Sequence, residues 1–154
     1  MSAAPAIKAA LVTMLTAAFA SDTAVLVSYG HPGPSVDADL VIVGSIVGAQ
    51  EFAAMKASHR SREETLGIAI TISVSMGGGP EAQQPVTERA FALLASLESA
   101  LETDTTIAGT CRGLSHLESF EAVESDDPEI LALGRVTEID VVFRAEARIY
   151  PTGT

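Results

Sequence analysis

Residues Glu64 to Met76 have the sequence ETLGIAITISVSM, in which two kinds of side chain alternate. Strict alternation over this length predicts a β-strand with one buried face, because successive side chains of a strand point to opposite sides of the sheet. One face carries large apolar residues and the other carries small or polar ones. The apolar face consists of Leu66, Ile68, Ile70, Ile72, Val74 and Met76, and the other of Thr65, Gly67, Ala69, Thr71, Ser73 and Ser75.

A second alternating stretch runs from Ile139 to Ile149, with apolar side chains on one face and mostly charged ones on the other. A strand as long as Glu64 to Met76 spans roughly 43 Å, whereas a compact chain of this length has a radius of gyration of about 15 Å. We therefore expect these strands either to overhang the core, where a neighbouring subunit can dock, or to bend at a bulge.

Two helices are predicted from apolar residues that recur at helical spacing. The first runs from about Pro5 to Ala20 and the second from Pro85 to Thr103, and each has a proline in its first turn. Their apolar stripes are Ile7, Leu11, Met14, Leu15, Ala18 and Phe19 in the first helix, and Val86, Ala90, Leu93, Leu94, Leu97 and Leu101 in the second.

The remaining segments complete a single domain over residues 1–154. Short strands rich in Val and Ile are predicted for Val25 to Tyr29 and Leu40 to Val47, as neighbours joined by the loop from Gly30 to Pro34. A weaker strand covers about Cys111 to Glu124, with a turn after it, and Gln50 to Arg62 is expected to be a mobile loop insertion. This order predicts an α+β fold, with an antiparallel or mixed sheet of about five strands and two main helices packed on one face.

The balance of charge restricts the partners. The sequence has 9 Lys and Arg against 20 Asp and Glu, a formal charge of −11. Such an excess disfavours adhesion to nucleic acid and to anionic membranes, although it suits a channel through which DNA slides; solubility alone also explains it. Cys111 is the only cysteine, which excludes an internal disulfide and a cysteine-rich zinc site and fits a reducing compartment.

The N-terminal segment has a second interpretation. Residues Ala9 to Ala20 are apolar, follow Lys8 and end in Ala18-Phe19-Ala20, the small-x-small pattern of a signal cleavage site. The helical stripe favours an amphipathic core helix instead, because a signal sequence needs no such periodicity. The apolar run is too short to span a bilayer.

The sequence contains no recognisable catalytic constellation. Gly77-Gly78-Gly79-Pro80 lies between a strand and a helix, as phosphate loops do, but no Lys-Ser or Lys-Thr follows, and several residues separate it from the predicted helix start. Ser73 and Ser75 lie outside a Gly-x-Ser-x-Gly elbow, and each of the three histidines stands alone. We therefore predict that the protein is not an enzyme and holds no cofactor.

The strongest metal candidate is His116 with Glu118, which a strand would place on one face, with Glu121 or Glu124 nearby. Two ligands in one strand fall short of the three or four that a zinc site needs. A solvated strand face is therefore the favoured interpretation, and no metal is expected.

Charged residues elsewhere are interpreted as loop surface. The acidic pairs Glu63-Glu64 and Asp126-Asp127 are predicted to be solvated loop ends without a catalytic role. Basic residues gather in one loop of this acidic sequence and are a candidate contact with a phosphate backbone or an acidic partner; a solvated loop is the alternative. They are Lys56, His59, Arg60 and Arg62.

Three segments resemble the tail terminator family of long-tailed phages. They are Arg62-Glu63-Glu64-Thr65 with the following Ile68 to Val74, Pro85 to Phe91 with the leucines after it, and Gly134-Arg135-Val136 leading into Ile139 to Ile149. The likeness covers about Ile7 to Tyr150 and consists of patterns of apolar and polar residues.

The resemblance implies a structural virion protein of the phage tail, assembled in the host cytoplasm. Members of the family form a ring, usually a hexamer, that caps the tail tube, stops its growth and meets the head connector while DNA passes through. The implied partners are further copies of the chain, the tail tube protein and a head-completion or connector protein, with no membrane. Because a closed ring needs a head-to-tail interface, we expect the long strands or their ends to form it, with the loop from Lys56 to Arg62 ordering against the tube or DNA.

Two other classes of protein remain open. A small α+β ligand-binding module, secreted or cytoplasmic, would need an enclosed pocket and would be stabilised against heat by its ligand. A secreted or periplasmic protein would lose its first twenty or so residues.

Overall fold

The computed structural model describes residues 1–33, 38–53 and 61–150. This part of the chain contains three α-helices and five strands. In chain order they are α1 (Ala4–Ala18), β1 (Val25–Tyr29), β2 (Asp39–Phe52), β3 (Arg62–Met76), α2 (Gln83–Thr103), β4 (His116–Glu124), α3 (Pro128–Leu133) and β5 (Arg135–Ile149), with a 3-10 turn at Pro80–Ala82 before α2.

The five strands form one sheet in the order β1-β2-β3-β5-β4. β1 pairs with β2 in parallel, whereas the pairings of β2 with β3, β3 with β5 and β4 with β5 are antiparallel. The predicted α+β fold with a mixed sheet of about five strands is therefore confirmed, as is the prediction that the first two strands are neighbours.

Both main helices cover the same face of the sheet, which we name the inner face. α1 packs against β1 and β2, and α2 packs against β3, β5 and β4. The alternating strands β3 and β5 supply the centre of the core, where Ile68, Ile70 and Phe143 are fully buried. Met76 is 41% exposed, because it ends β3 beyond the reach of the helices.

The predicted loop from Gln50 to Arg62 is wrong at both ends. β2 continues to Phe52 and β3 begins at Arg62, and these two residues lie opposite each other in the sheet. The polar side chains at these ends interrupt the apolar alternation that predicts a strand. A strand can nevertheless extend beyond that alternation when its backbone amides and carbonyls pair with a neighbouring strand.

Helix boundaries also differ from the prediction. α1 ends at Ala18 rather than Ala20, and α2 begins at Gln83 rather than Pro85. The 3-10 turn that opens at Pro80 leads directly into α2, so Pro80 supplies the proline of a first turn.

The segment after α2 differs most. The weaker strand begins at His116 rather than Cys111. The turn expected after it continues into α3, where the Asp127 carboxylate accepts a hydrogen bond from the Glu129 amide as a helix N-cap. Gly134 then passes so close to β3 that a Cβ atom there would overlap the Met76 carbonyl.

Candidate functional site

The first free edge of the sheet belongs to β2. β1 pairs with β2 only from Asp39 to Val43, and no described strand lies on that side of β2 beyond Val43. The nine residues from Gly44 to Phe52 therefore present a free edge, which we name the β2 edge. Glu51 is its only charged residue, and Val47 and Phe52 are 77% and 61% exposed. A long, nearly uncharged edge with exposed apolar side chains is a template for strand addition.

The second free edge is the whole of β4, nine residues from His116 to Glu124, and we name it the β4 edge. Within the described chain, β4 has β5 as its only neighbour. It carries three glutamates, Glu118, Glu121 and Glu124. Phe120 is 51% exposed and meets Phe91 of α2 edge to face, with ring centroids 6.0 Å apart. An acidic edge with an exposed aromatic pair thus lies opposite the nearly uncharged β2 edge.

A bulge separates the two residues of the metal candidate. The register of β4 shifts between Leu117 and Ser119, so Glu118 has no direct partner in β5. Its carboxylate accepts a hydrogen bond from Arg144 at 3.1 Å, while His116 Nδ1 lies 3.0 Å from the carbonyl oxygen of Leu114. Over the described ranges, no group of three His, Cys, Asp or Glu side chains is placed to hold a metal ion.

Glu64 is the acidic residue that the sequence interpretation placed wrongly. It is not a solvated loop end but a buried residue of β3, 3% exposed. Its two carboxylate oxygens accept hydrogen bonds from Ser2 Oγ at 2.6 Å, from the Ala3 amide at 2.8 Å and from Gln50 Nε2 at 2.9 Å. Glu64 therefore joins the N-terminus of α1 to the far ends of β2 and β3, where a negative charge is favourable.

The charge state of Glu64 follows from these contacts. Burial opposes ionisation, but the hydrogen bonds from Ser2, Gln50 and Ala3 outweigh it, so the pKa of Glu64 is lowered from its ordinary value. Glu63 next to it points outward and is shared by Arg148 and Arg112, at 2.7 and 3.1 Å. Glu64 is thus a structural anchor, and Glu63 forms two surface ion pairs.

In the glycine turn before α2, a backbone donor is already used by the protein itself. The Gly79 amide donates to Glu81 Oε1 at 2.9 Å, so the protein's own carboxylate uses a donor that a phosphate would need. Backbone hydrogen bonds, including that from Gly79, lower the pKa of Glu81, which keeps this side chain charged. The turn is therefore a structural connection, although the helical segment starts at once after Gly79 instead of several residues later.

The Cys111 thiol is a poor candidate for a nucleophile. Burial raises the pKa of the Cys111 thiol, which disfavours the thiolate needed of a nucleophile.

A cleft of ≈ 210 Å³ lies between the end of α2 and the start of β4 and is lined by Glu98, Leu101, Glu102, Thr105, Ser115, His116 and Leu117. This cleft is smaller than the roughly 300–1,000 Å³ that is usual for small-molecule sites. A larger but wide-open depression of ≈ 460 Å³ is lined by Ala18, Ala95, Ser96, Ser99, Ala100 and Thr103.

The predicted contact loop is only partly described. Lys56, His59 and Arg60 lie outside the described residues, and their role stays a prediction. Arg62 begins β3, where its guanidinium donates to Gln50 Oε1 at 3.3 Å and lies over the Phe52 ring at 5.7 Å. The structure thus places Arg62 at the end of the β2 edge.

Sequence reasoning missed both edges, because an edge depends on which strand has no neighbour. One signal was present. The apolar run from Leu40 to Val47 continues into Gly48-Ala49, a small, uncharged extension that lies between the predicted strand and the predicted loop.

No helix in residues 1–33, 38–53 and 61–150 has the length and apolar character needed to cross a membrane. The sequence matches no protein-family model and no curated protein with which it was compared.

Proposed function

We propose that the protein is a structural subunit that assembles head to tail into a ring. The ring caps the tail tube of a long-tailed phage, ends its polymerisation and joins it to the head connector, with DNA passing through the hole. Further copies of the chain, the tail tube protein and the connector are its partners.

The observation that carries this proposal is the pair of unlike free edges on one sheet. A ring needs two different, mutually complementary surfaces on each subunit, whereas a symmetric dimer needs one surface that matches itself. The β4 edge is poorly suited to match itself, because an antiparallel pair of β4 strands brings glutamates of both copies together. The β2 edge carries one carboxylate and can accept an acidic strand.

Two further features support the tail rather than another ring. The resemblance of β3, α2 and β5 to the tail terminator family covers the central strands and the main helix of the core. A net charge of −11 disfavours tight adhesion to DNA, which suits a passage through which DNA must slide.

The mass of the purified protein tests ring formation. We expect native mass spectrometry or sedimentation to give a closed oligomer, a hexamer by the resemblance, at high concentration or after addition of tail tube protein. A chain that stays monomeric under both conditions would contradict the proposal.

A phage that carries this gene offers the functional test. Deletion of the gene should give tail tubes of uncontrolled length that fail to join heads, as seen by electron microscopy, and expression of the full chain should restore normal particles. Tails of normal length after deletion would rule out the role in termination.

A further inference from the structure

We propose that the β4 edge of one subunit adds to the β2 edge of the next copy as an antiparallel strand, so that one sheet continues from subunit to subunit. This inference rests on the proposed ring and identifies its interface. Both edges are nine residues long, and neither has a partner within the described part of the chain.

The backbone groups needed for such pairing point outward. The amides of successive residues point to opposite edges of a strand, so every second residue points to the same edge. The Ala53 amide donates to the Ser61 carbonyl next to β3, and the Ser125 amide donates to the Val136 carbonyl next to β5. Counting back from Ala53 and Ser125 gives the outward-pointing residues, which are Ile46, Gly48, Gln50 and Phe52 on β2 and Phe120, Ala122 and Glu124 on β4.

The outward-pointing residues of the two edges also share one face of the sheet. Gly48 lies opposite the buried Leu66, and Ala122 lies opposite the buried Ile139, so both sets have their side chains on the inner face. Residues that exchange hydrogen bonds in an antiparallel pair share a face of the sheet. Pairing of the two edges therefore places the helices of both copies on the same side, as rotation around a ring axis requires.

β1 fixes the register. β1 ends at Tyr29, opposite Val43, so the residues of β2 from Gly44 to Phe52 have no described strand on that side. The part of β4 after its bulge fits this space when Ala122 meets Ile46, the first paired residue of β2 after its own bulge. Phe120 then lies opposite Gly48, where an aromatic side chain can cover an edge glycine.

The strand directions and the stagger also fit. β4 is antiparallel to β5 and β5 to β3, and β3 is antiparallel to β2, so β4 and β2 run in opposite directions within one subunit. Rotation of the next copy preserves these directions. In this register, equivalent strands of neighbouring copies are four strand spacings apart and are offset along the strand direction by about four residues. This stagger corresponds to a strand tilt of about 35° from the ring axis, close to the tilt found in closed sheets.

The outer face provides a charge test. In this register Glu121 of one copy lies directly opposite Val47 of the next, in a pair whose side chains are close. We expect Val47→Glu to weaken each contact about tenfold, because two carboxylates then face each other. Val47→Lys, matched in length but opposite in charge, should keep the ring, and Glu121→Lys combined with Val47→Glu should restore it.

Sedimentation of these full-length variants separates the outcomes, with thermal unfolding as the check that each one folds. Loss of the ring in Val47→Glu and its return in the double variant would support the interface. A ring that is unchanged in Val47→Glu, or not restored in the double variant, would overturn this interface while leaving the proposed function in place. A wild-type chain that never assembles would instead contradict the proposed function itself.

A mixing experiment tests the head-to-tail arrangement. Ala122→Pro removes an outward amide from the β4 edge without removing a bond to β5, and Ala122→Val is its control with the amide retained. Val47→Glu and Ala122→Pro should each be monomeric alone and form a 1:1 dimer when mixed, since each retains the edge that the other lacks. A dimer of Ala122→Pro alone would reveal pairing of β2 with β2 and overturn the inference.

Discussion

The two ends of the sheet are held together by different interactions. At the closed end all five strands lie side by side under both helices, and Ile70, Ile72 and Val141 are buried. The open end, which consists of Gly48–Phe52, Arg62–Leu66 and Ala145–Ile149, is three strands wide. There a charged residue, Glu64, is buried in place of another apolar one. The comparison indicates that the closed end contains most of the buried apolar core, whereas at the open end β2 has no described neighbour beyond Val43 on the side of β1.

The largest effect is expected at the closed end. Phe143→Ala removes a fully buried ring from the centre of β5 and should lower the free energy of unfolding by about 3–5 kcal/mol. Phe52→Ala at the open end is the matched control and should cost less than about 1 kcal/mol, because Phe52 is largely exposed. Urea unfolding of both variants measures the difference, and equal losses would contradict the division into two ends.

The second largest loss of stability is expected for a change at Glu64, the buried carboxylate of the open end. Glu64→Gln replaces a carboxylate oxygen by an amide donor and leaves a donor of Ser2, Ala3 or Gln50 unpaired, which should cost about 1–3 kcal/mol. Glu63→Gln is the control from the same strand and should cost clearly less, because the ion pairs of Glu63 are exposed to solvent. A smaller loss in Glu64→Gln than in Glu63→Gln would show that the carboxylate is not the anchor.

The same anchor should respond to acid. The pKa of Glu64 is lowered on folding from about 4.5, so its charge contributes stability above that pH, and this contribution is lost as the pH falls through the lower pKa of the folded state. Asp22, Glu63 and Asp104 are shifted in the same direction by their hydrogen bonds. We therefore expect the stability difference between wild type and Glu64→Gln to be constant near pH 7 and to shrink below about pH 4.5. A difference that persists into acid would exclude the charge as its cause.

The smallest effect on folding is expected at the β2 edge. Val47→Thr should change the free energy of unfolding of the single subunit by less than about 0.5 kcal/mol, because the side chain is exposed and both residues favour strands. Val43→Thr four residues earlier in β2 is the control and should cost more, since it buries an unpaired hydroxyl. Thermal unfolding at a concentration below that of assembly checks both variants.

The apolar periodicity of the sequence predicted which segments build the core. The stripe of α2 from Val86 to Leu101 and the apolar faces of β3 and β5 are buried as predicted, except for Met76 and Ile149 at strand ends. The polar contacts were not readable. Arg89 of α2 binds Asp22 at 2.7 Å and Asp39 at 2.9 Å, and these partners are far from it in the sequence.

The sequence by itself determined which face of each main helix and long strand is apolar, because the periodicity of apolar residues is a local property, although Ala18, in the predicted stripe of α1, is exposed. Only the tertiary structure decided which described strands lack a neighbour, that β1 pairs with β2 only as far as Val43, and that Glu64 is buried beneath Ser2 and Ala3. These features depend on pairings between residues distant in sequence, and the periodicity of one strand carries no information about its neighbour.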